Sequence, residues 1–258
     1  MQTDARMFHF IQALNHSDLL IVLYLDEAMP GNQYRPDRGR ASQCVYWTLG
    51  QLPKWFLSGR NGWFPFCYIW IKALKRADIT DSQLVCELVK LFDDVNIDNC
   101  NFVFEMNGVE FRFNIKVTVA DWVQHKKTFC LKGHGGTVCC HWCANCVGRV
   151  PYFEDDDTLV HVGSSDYGRF VMHTYETTMH LADQIEHVVL HGTKPELEAI
   201  QQATGLKYEE RGLLWDRPVR ATLRLPHAAY TDWMHMLVAS GGFAQYELNQ
   251  MVSFIRFI

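Results

Sequence analysis

Several features are missing from this sequence, and each absence removes a class of protein. In 258 residues no apolar run approaches the ~18–20 residues needed to cross a bilayer. The longest run, at 19–25, has the length of a strand. The first six residues contain both an acid and a base, unlike the apolar region of a signal peptide. We therefore expect no membrane partner.

Basic residues are also fewer than acidic residues. With 24 Lys and Arg against 29 Asp and Glu, the net charge of −5 argues against a protein that coats nucleic acid, but it allows a local basic face. The sequence contains no Ser/His/Asp pattern, phosphate-binding loop, internal repeat or low-complexity linker. Because 48% of the chain is apolar, it can bury the core of a large domain.

The nine cysteines are an odd number, and four of them lie between Cys139 and Cys146. A secreted disulfide framework would spread its cysteines and pair them, so this distribution predicts a reducing compartment. Cys140 and Cys143 form one C-x-x-C pattern, which overlaps a second formed by Cys143 and Cys146. Because such a turn brings two thiolates to one metal ion, we interpret the cluster as half of a zinc site.

A structural zinc ion takes about four ligands. Cys140 and Cys143 would supply two of them. The remaining ligands would come from the candidates Cys139, Cys146, His161 and His173. The alternative is a set of reduced cysteines that binds no metal.

Hydrophobic periodicity predicts an α/β (α+β) fold, with a mixed sheet flanked by helices. The run at 19–25 is typical of a buried central strand, 44–49 of a second strand, and 102–119 of a hairpin that turns at Asn107-Gly108. Apolar residues alternate along 109–119, which would place them on one face. Helical spacing occurs at 4–16, 67–78, 81–93, 170–191, 194–203 and 243–258.

Two acids follow predicted strands. Asp26 ends the first strand, and Asp121 follows the hairpin. Carboxylates at adjacent strand ends are how nucleases and polynucleotidyl transferases hold two Mg²⁺ ions, which clamp the attacking and leaving oxygens of a phosphoryl displacement. Mg²⁺ prefers hard oxygen ligands and keeps several waters, so a few carboxylates suffice. Ordinary strand-end or helix-capping acids are the alternative.

Six short motifs follow one another along the chain. They are Asp26-x-x-x-Pro-Gly-Asn, Val45-Tyr-Trp-Thr, a strand ending at Asp121, Lys132-Gly-x-Gly-Gly-Thr, Cys140-x-x-Cys and Asp232-x-Met-His. Their order and spacing resemble those of the CACTA-type DDE transposases of eukaryotic cut-and-paste DNA elements, in particular the Plavaka-like branch. The resemblance covers most of the chain, from about Leu19 to Met251.

The resemblance implies an RNase H-like core in which Asp26 is the first catalytic acid and Asp121 the second. The third acid would fall on Asp232 or Glu247, or beyond Ile258. Mg²⁺ or Mn²⁺ would bind these acids. The implied reaction is hydrolysis of a phosphodiester at the transposon end, followed by attack of the freed 3′-hydroxyl on target DNA.

The same resemblance implies a structural zinc knuckle with His173 as the favoured histidine ligand. It predicts a first part of the core at 1–130, a zinc-knuckle insertion at 131–175 and a helical part at 176–258. The apolar end of the sequence predicts that the chain is a fragment or remnant. The partner would be DNA and the compartment the nucleus, while a homo-oligomer remains open.

Two basic clusters flank the predicted acids. One comprises Lys126, Lys127 and Lys132, and the other Arg35, Arg38 and Arg40. Both could contact DNA phosphates, which contribute affinity without sequence reading. Solvated charged loops are the alternative.

Two other functions remain open at this stage. One is a non-catalytic, zinc-stabilised DNA- or protein-interaction module derived from a transposon. The other is a hydrolase that uses the knuckle zinc directly, although a thiolate-rich site is usually closed and structural. A third acid in register with Asp26 and Asp121 would favour the transposase.

Overall fold

The computed structural model describes residues 19–32, 35–36, 38–57, 62–93, 102–106, 108–148 and 158–232. The strands are β1 (Leu19–Ala28), β2 (Gly31–Asn32), β3 (Arg35–Pro36), β4 (Ser42–Leu49), β5 (Phe64–Trp70), β6 (Phe102–Met106), β7 (Val109–Ala120), β8 (Cys146–Val147), β9 (Val160–His161) and β10 (Ala229–Thr231). The helices are α1 (Lys54–Leu57), α2 (Ile71–Arg76), α3 (Asp81–Asp93), α4 (Trp122–Thr128), α5 (Tyr175–His191), α6 (Lys194–Thr204) and α7 (Arg217–Thr222). The predicted α/β class, a mixed sheet flanked by helices, is confirmed.

The main sheet is organised around β1. Its strand order is β5-β4-β1-β7-β10, and β6 pairs with the first part of β7. β4 runs antiparallel to β1, and β5 antiparallel to β4. On the other side, β7 runs parallel to β1, and β10 runs parallel to β7. Three neighbouring parallel strands therefore end at the same edge.

The core lies against one face of this sheet. In β1 every second residue is buried, namely Leu19, Ile21, Leu23 and Leu25. Helix α3 contributes Val85, Cys86 and Val89 to the same buried core. The continuous apolar run at 19–25 therefore forms the central strand of the sheet, and its core face is covered by other parts of the chain.

A β-bulge interrupts the alternation predicted for 109–119. Ile21 pairs with Ile115, but Val22 pairs with Val117, so one residue of β7 is passed over. Before the bulge Phe113 and Ile115 are buried, whereas after it Thr118 and Ala120 are buried. The prediction of one continuous apolar face is therefore wrong, because an extra residue exchanges the two faces of a strand.

Other elements differ from the sequence prediction in extent. The segment 67–70, expected to be helical, belongs to strand β5, because its residues pair with β4. Helix α5 begins at Tyr175 rather than at 170, with Thr174 as its cap. Strand β10 lies in a segment for which neither a strand nor helical spacing was predicted. The predicted helices 4–16 and 243–258 lie outside the described residues.

The hairpin and two helices match their predictions. Met106 pairs with Val109 across the predicted turn. Helices α3 and α6 span Asp81–Asp93 and Lys194–Thr204. In the parts of the chain that the structure describes, no helix has both the length and the apolar character required to span a bilayer.

Leu23 provides a test of the core. Its side chain is fully buried in the central strand, so Leu23→Ala should lower the free energy of unfolding by about 2–5 kcal/mol in urea denaturation. Val22→Ala is the matched control, because Val22 lies on the opposite, partly exposed face of the same strand and should cost less. Equal losses for the two variants would contradict this arrangement of the core.

Candidate active site

Three acids occupy equivalent positions at the ends of three neighbouring parallel strands. Leu25 of β1 pairs with Ala120 of β7, which in turn pairs with Thr231 of β10. The next residues along these strands are Asp26, Asp121 and Asp232. Adjacent strands lie about 4.8 Å apart, so the three acids form a row along one edge of the sheet.

The bulge in β7 sets the face on which Asp121 lies. Leu25 and Ala120 are both buried in the core, so alternation directs the residue after each of them to the opposite face. Tyr24 lies on that face, two residues before Asp26. Without the bulge the pairing would shift by one residue, and Asp121 would no longer be level with Asp26.

Asp232 is held at two points. Its backbone N–H donates to the carbonyl of Ala120 at 2.8 Å, which ties it to the residue before Asp121. The Tyr24 hydroxyl donates to Asp232 Oδ2 at 2.9 Å. Asp232 is only 9% exposed. The acid that follows the short strand β10 is therefore tied to both neighbouring parallel strands.

The pKa of Tyr24 reflects the charge gathered at this edge. Burial is the largest cause of its upward shift, followed by the hydrogen bond to Asp232. The negative charges of Asp26, Asp232 and Asp121 each raise the pKa further, because they disfavour a phenolate. All three carboxylates are thus close enough to act on one phenol.

Asp121 also has a local structural role. It is the N-cap of helix α4, and its Oδ1 accepts a hydrogen bond from the Gln124 backbone N–H at 2.5 Å. A carboxylate has two oxygens, so this bond leaves Oδ2 available for another partner. Asp121 is therefore a helix cap, as the alternative interpretation predicted. This role does not conflict with metal binding, because it uses only one of the two carboxylate oxygens.

The donor types at this edge suit a hard divalent cation such as Mg²⁺ or Mn²⁺. In the described parts of the chain, however, no group of three or more His, Cys, Asp or Glu side chains is placed so that it could hold a metal ion. Metal binding would therefore require adjustment of the carboxylates. Glu247, the other candidate for the third acid, lies outside the described residues.

The basic residues near the site differ in their surroundings. Lys127 Nζ lies 2.9 Å from Glu27 Oε2 and 3.9 Å from Asp81 Oδ2. Lys132 Nζ donates to Gln202 Oε1 at 3.1 Å. Lys126 is exposed and forms no ion pair with any described residue. Lys126 is thus better placed than Lys127 to contact a phosphate.

The arginine cluster is only partly described. Arg40 is exposed at the end of a short 3-10 helix that spans Arg38–Arg40. The backbone of Arg35 belongs to β3, but the side chains of Arg35 and Arg38 lie outside the described part. The DNA contacts predicted for this cluster stay predictions.

Lys127 should stabilise the fold in a pH-dependent way. Burial raises the pKa of Asp81, and the charge of Lys127 opposes that rise. Lys127→Met should cost roughly 0.5–1 kcal/mol at pH 7, and the cost should shrink towards pH 4 as Asp81, whose folded-state pKa is raised, becomes protonated. Urea denaturation at both pH values measures this difference. Lys126→Met is the control and should cost little at either pH, so an equal loss in both variants would contradict the assignment.

The knuckle folds back on itself through backbone hydrogen bonds. The Cys139 N–H donates to the Cys146 carbonyl at 3.0 Å, and the His173 N–H donates to the Trp142 carbonyl at 2.8 Å. The Asn145 side chain joins the turn to later residues by donating to the carbonyls of Thr158 and Arg169. These bonds bring the cysteines and His173 into one small unit.

The sulfur spacing fits a zinc site in part. Cys139 Sγ and Cys146 Sγ lie 3.9 Å apart. Zn–S bonds of about 2.3 Å at tetrahedral angles place two sulfurs ~3.8 Å apart. Burial, together with the neighbouring cysteines, raises the pKa of both the Cys143 and Cys146 thiols to about 12. The cysteine types and this pair fit zinc, although no described group of three or more ligands is assembled for it.

His141 is a candidate ligand that the sequence analysis overlooked. Both of its ring nitrogens are buried without a hydrogen-bond partner. Burial, with smaller contributions from His125 and His173, lowers its pKa to about 3. It lines a cavity of about 30 Å³ together with Cys139, Cys140 and His173. Its position between Cys140 and Cys143 of the C-x-x-C pattern is the sequence signal that could have identified it as a ligand.

The other predicted histidine ligand has a different environment. His161 pairs with Val147 in the small sheet formed by β8 and β9. Its Nδ1 accepts a hydrogen bond from the Gly163 N–H at 3.1 Å. His173 lines the same cavity as Cys139 and Cys140, so it is the better placed of the two.

Comparison with known proteins adds no identity. No protein-family model matches the sequence, and no significant match to a curated protein is found.

Proposed function

We propose that this chain is the catalytic core of a metal-dependent polynucleotidyl transferase of the transposase type, with an RNase H-like fold. The observation that carries the proposal is the row of Asp26, Asp121 and Asp232 at one register position of three parallel strands. An isolated strand-end acid is common, but three in register on adjacent strands bring together the type of oxygen donor that hard cations prefer.

The topology supports the RNase H-like part of the proposal. An antiparallel meander of β1, β4 and β5 continues on the other side of β1 into the parallel strands β7 and β10. The resemblance to CACTA-type transposases implies this kind of sheet, with acids after the first strand and after the strand beside it. β1 and β7 occupy those two positions.

The chain's own residues would act as follows. Asp26, Asp121 and Asp232 would hold Mg²⁺ or Mn²⁺, which would stabilise the attacking and leaving oxygens during phosphodiester cleavage. The N-cap bond from Gln124 fixes the orientation of the Asp121 carboxylate. Lys126, exposed on the helix that follows Asp121, would bind a DNA phosphate and position the strand.

We also propose that zinc stabilises the knuckle without taking part in the reaction. Cys140 and Cys143 would supply two ligands, and Cys146 and His173 would complete the set, with Cys139 and His141 as competitors. The orphaned His141 ring and the Cys139–Cys146 spacing support a site of this kind. A thiolate-rich site of this type is usually structural.

A nicking assay tests the proposal. The chain is incubated with supercoiled plasmid in Mg²⁺ or Mn²⁺, with Ca²⁺ or a chelator as the control, and relaxed circles are counted. We expect nicking in Mn²⁺ and Mg²⁺ that stops when the metal is chelated. If the chain binds DNA but does not nick it in either metal, the catalytic proposal fails.

One observation favours a second function, a non-catalytic interaction module. In the described part of the chain the acids are not arranged so that they could hold a metal ion. In addition, Asp232 Oδ2 already accepts a hydrogen bond from the Tyr24 hydroxyl. Such a module would keep the knuckle and bind DNA or protein through it. Metal-independent DNA binding without nicking is the result expected from this alternative.

A further inference from the structure

An exposed basic groove lies where strand β5 ends and helix α2 begins. Arg40, Lys72 and Arg76 line it together with Trp70, and its volume is about 640 Å³. No Asp or Glu belongs to the described residues that line this β5–α2 groove, and all three cations are exposed. None of the six motifs found in the sequence includes Trp70, Lys72 or Arg76. The groove is therefore a strongly positive surface to which the sequence analysis assigned no function.

Helix α2 places two of the cations side by side. Lys72 and Arg76 are four residues apart, so they lie on one face of the helix, about 6 Å apart along its axis. Leu74, on the opposite face, is buried in the core and anchors the helix. Neither Lys72 nor Arg76 forms an ion pair with a described residue. Both charges are therefore available to an anion that enters the groove.

Two exposed aromatic side chains connect this groove to the acidic row. Tyr68 is 59% exposed and Trp70 61%, whereas Ile69 between them packs against the core. Alternation along β5 therefore puts Tyr68 and Trp70 on the face opposite the core, which is the face of the acids. Tyr68 pairs with Cys44 on β4, and Cys44 pairs with Asp26 on β1. Tyr68 thus continues the row of acids across the sheet.

The β5–α2 groove lies at the same end of the sheet as the acids. Strands β1 and β5 are separated only by β4 and run in the same direction, so they lie about 10 Å apart. Trp70 pairs with Ser42, which pairs with Ala28, two residues beyond Asp26. A polymer that passes the acidic row in this direction reaches the two aromatic rings next, and then the cations.

We propose that the β5–α2 groove binds single-stranded DNA, with a base stacked on Trp70 and neighbouring phosphates held by Lys72 and Arg76. A surface of one sign of charge attracts a polyanion, and an exposed aromatic ring beside it accepts any base, because every base has a π-face. In a duplex the bases stack on one another, so a duplex would offer this groove only its phosphates. The inference rests on the DNA binding of the proposed function, but not on a metal ion or on catalysis.

The test is fluorescence anisotropy of a labelled oligothymidine of about 12 nucleotides, titrated with the full chain in the presence of a chelator. Trp70→Ala should weaken binding by about 10-fold, whereas Trp70→Phe keeps an aromatic face and should bind nearly as well as the wild type. The double variant Lys72→Met/Arg76→Met should flatten the slope of log affinity against log salt concentration by about 0.7 for each lost phosphate contact. A duplex of the same length should bind more weakly, and Trp70→Ala should not change its affinity.

Two variants elsewhere on the surface are matched controls. Trp55→Ala removes a tryptophan that is 69% exposed on α1, and Lys54→Met/Lys194→Met removes two exposed lysines from α1 and α6. Both should keep the wild-type affinity and salt dependence. Thermal unfolding of each variant shows whether a loss of affinity reflects a loss of folding. Equal losses in Trp70→Ala and Trp55→Ala, or equal salt slopes in the two lysine-containing double variants, would overturn the assignment of the groove.

The titrations and the nicking assay together separate this inference from the proposed function. If the wild type nicks plasmid but Trp70→Ala and Lys72→Met/Arg76→Met bind oligothymidine normally, the catalytic proposal stands and the groove assignment falls. If these variants lose binding as expected but the wild type does not nick DNA in either metal, the groove stands and the catalytic proposal falls. If the wild type does not bind oligothymidine, the groove assignment falls whatever the nicking assay shows.

Discussion

Asp121→Asn should abolish metal-dependent nicking, by about 10³-fold or more, and leave the fold as stable as the wild type. Asn keeps the shape of the side chain but loses the negative charge that a divalent cation requires. A loss of this size corresponds to about 4 kcal/mol of transition-state stabilisation, which is within the range expected of a metal clamp. Initial nicking rates at saturating Mn²⁺ measure the effect.

The stability of this variant distinguishes the two roles of Asp121. Asn and Asp are about equally good N-caps, so Asp121→Asn should keep the hydrogen bond from the Gln124 N–H. Removing one of three neighbouring carboxylates also relieves repulsion between like charges. Asp121→Ala should be equally inactive but less stable by about 0.5–2 kcal/mol, because the cap is lost.

A second capping aspartate provides the matched control. Asp216 caps helix α7 by accepting a hydrogen bond from the Val219 N–H at 3.2 Å. Asp216→Asn should nick DNA at the wild-type rate, because this residue does not belong to the acidic row. If Asp121→Asn nicks DNA as fast as Asp216→Asn, Asp121 is only a helix cap and the catalytic assignment is wrong.

Local patterns predicted the parts of the fold that depend on neighbouring residues. The apolar run forms β1, and β6 and β7 pair as the hairpin that was expected there. Helix α3 spans Asp81–Asp93, the range that its helical spacing predicted. In each case the signal lies within a few residues of the element that it specifies.

Features that depend on distant partners could not be predicted in this way. Strand β10 has three residues and exists because β7 offers it a free edge. The segment 67–70 has helical spacing but pairs with β4. The bulge in β7 follows from its register with β1, and no local pattern marks it.

The same distinction between local signals and distant partners applies to the candidate site. Asp26 and Asp121 were found because each follows a recognisable strand. The bond between Tyr24 and Asp232 joins residues that lie 208 positions apart, so no spacing in the sequence could indicate it. The bulge completes the site by turning Asp121 to the face of Tyr24, which is a common use of bulges beside functional sites.

Removal of one knuckle thiol should have the second large effect. Cys143→Ser should lower bound zinc from about one ion per chain to near zero, because a structural site needs about four ligands and Cys143 belongs to both C-x-x-C patterns. Mass spectrometry of the purified chain measures the metal content. The backbone bonds of the knuckle should then open, exposing 138–148 to proteolysis.

Cys67→Ser is the matched control for the zinc prediction. Cys67 is a partly buried free cysteine on β5, so its loss removes a thiol without touching the knuckle. We expect it to retain a full equivalent of zinc and an intact knuckle. If the wild-type chain binds no zinc, and Cys140, Cys143 and Cys146 all react with a thiol reagent in the folded protein, the cluster is a set of reduced cysteines. The knuckle would then be stabilised by its backbone hydrogen bonds and by packing around His141 alone.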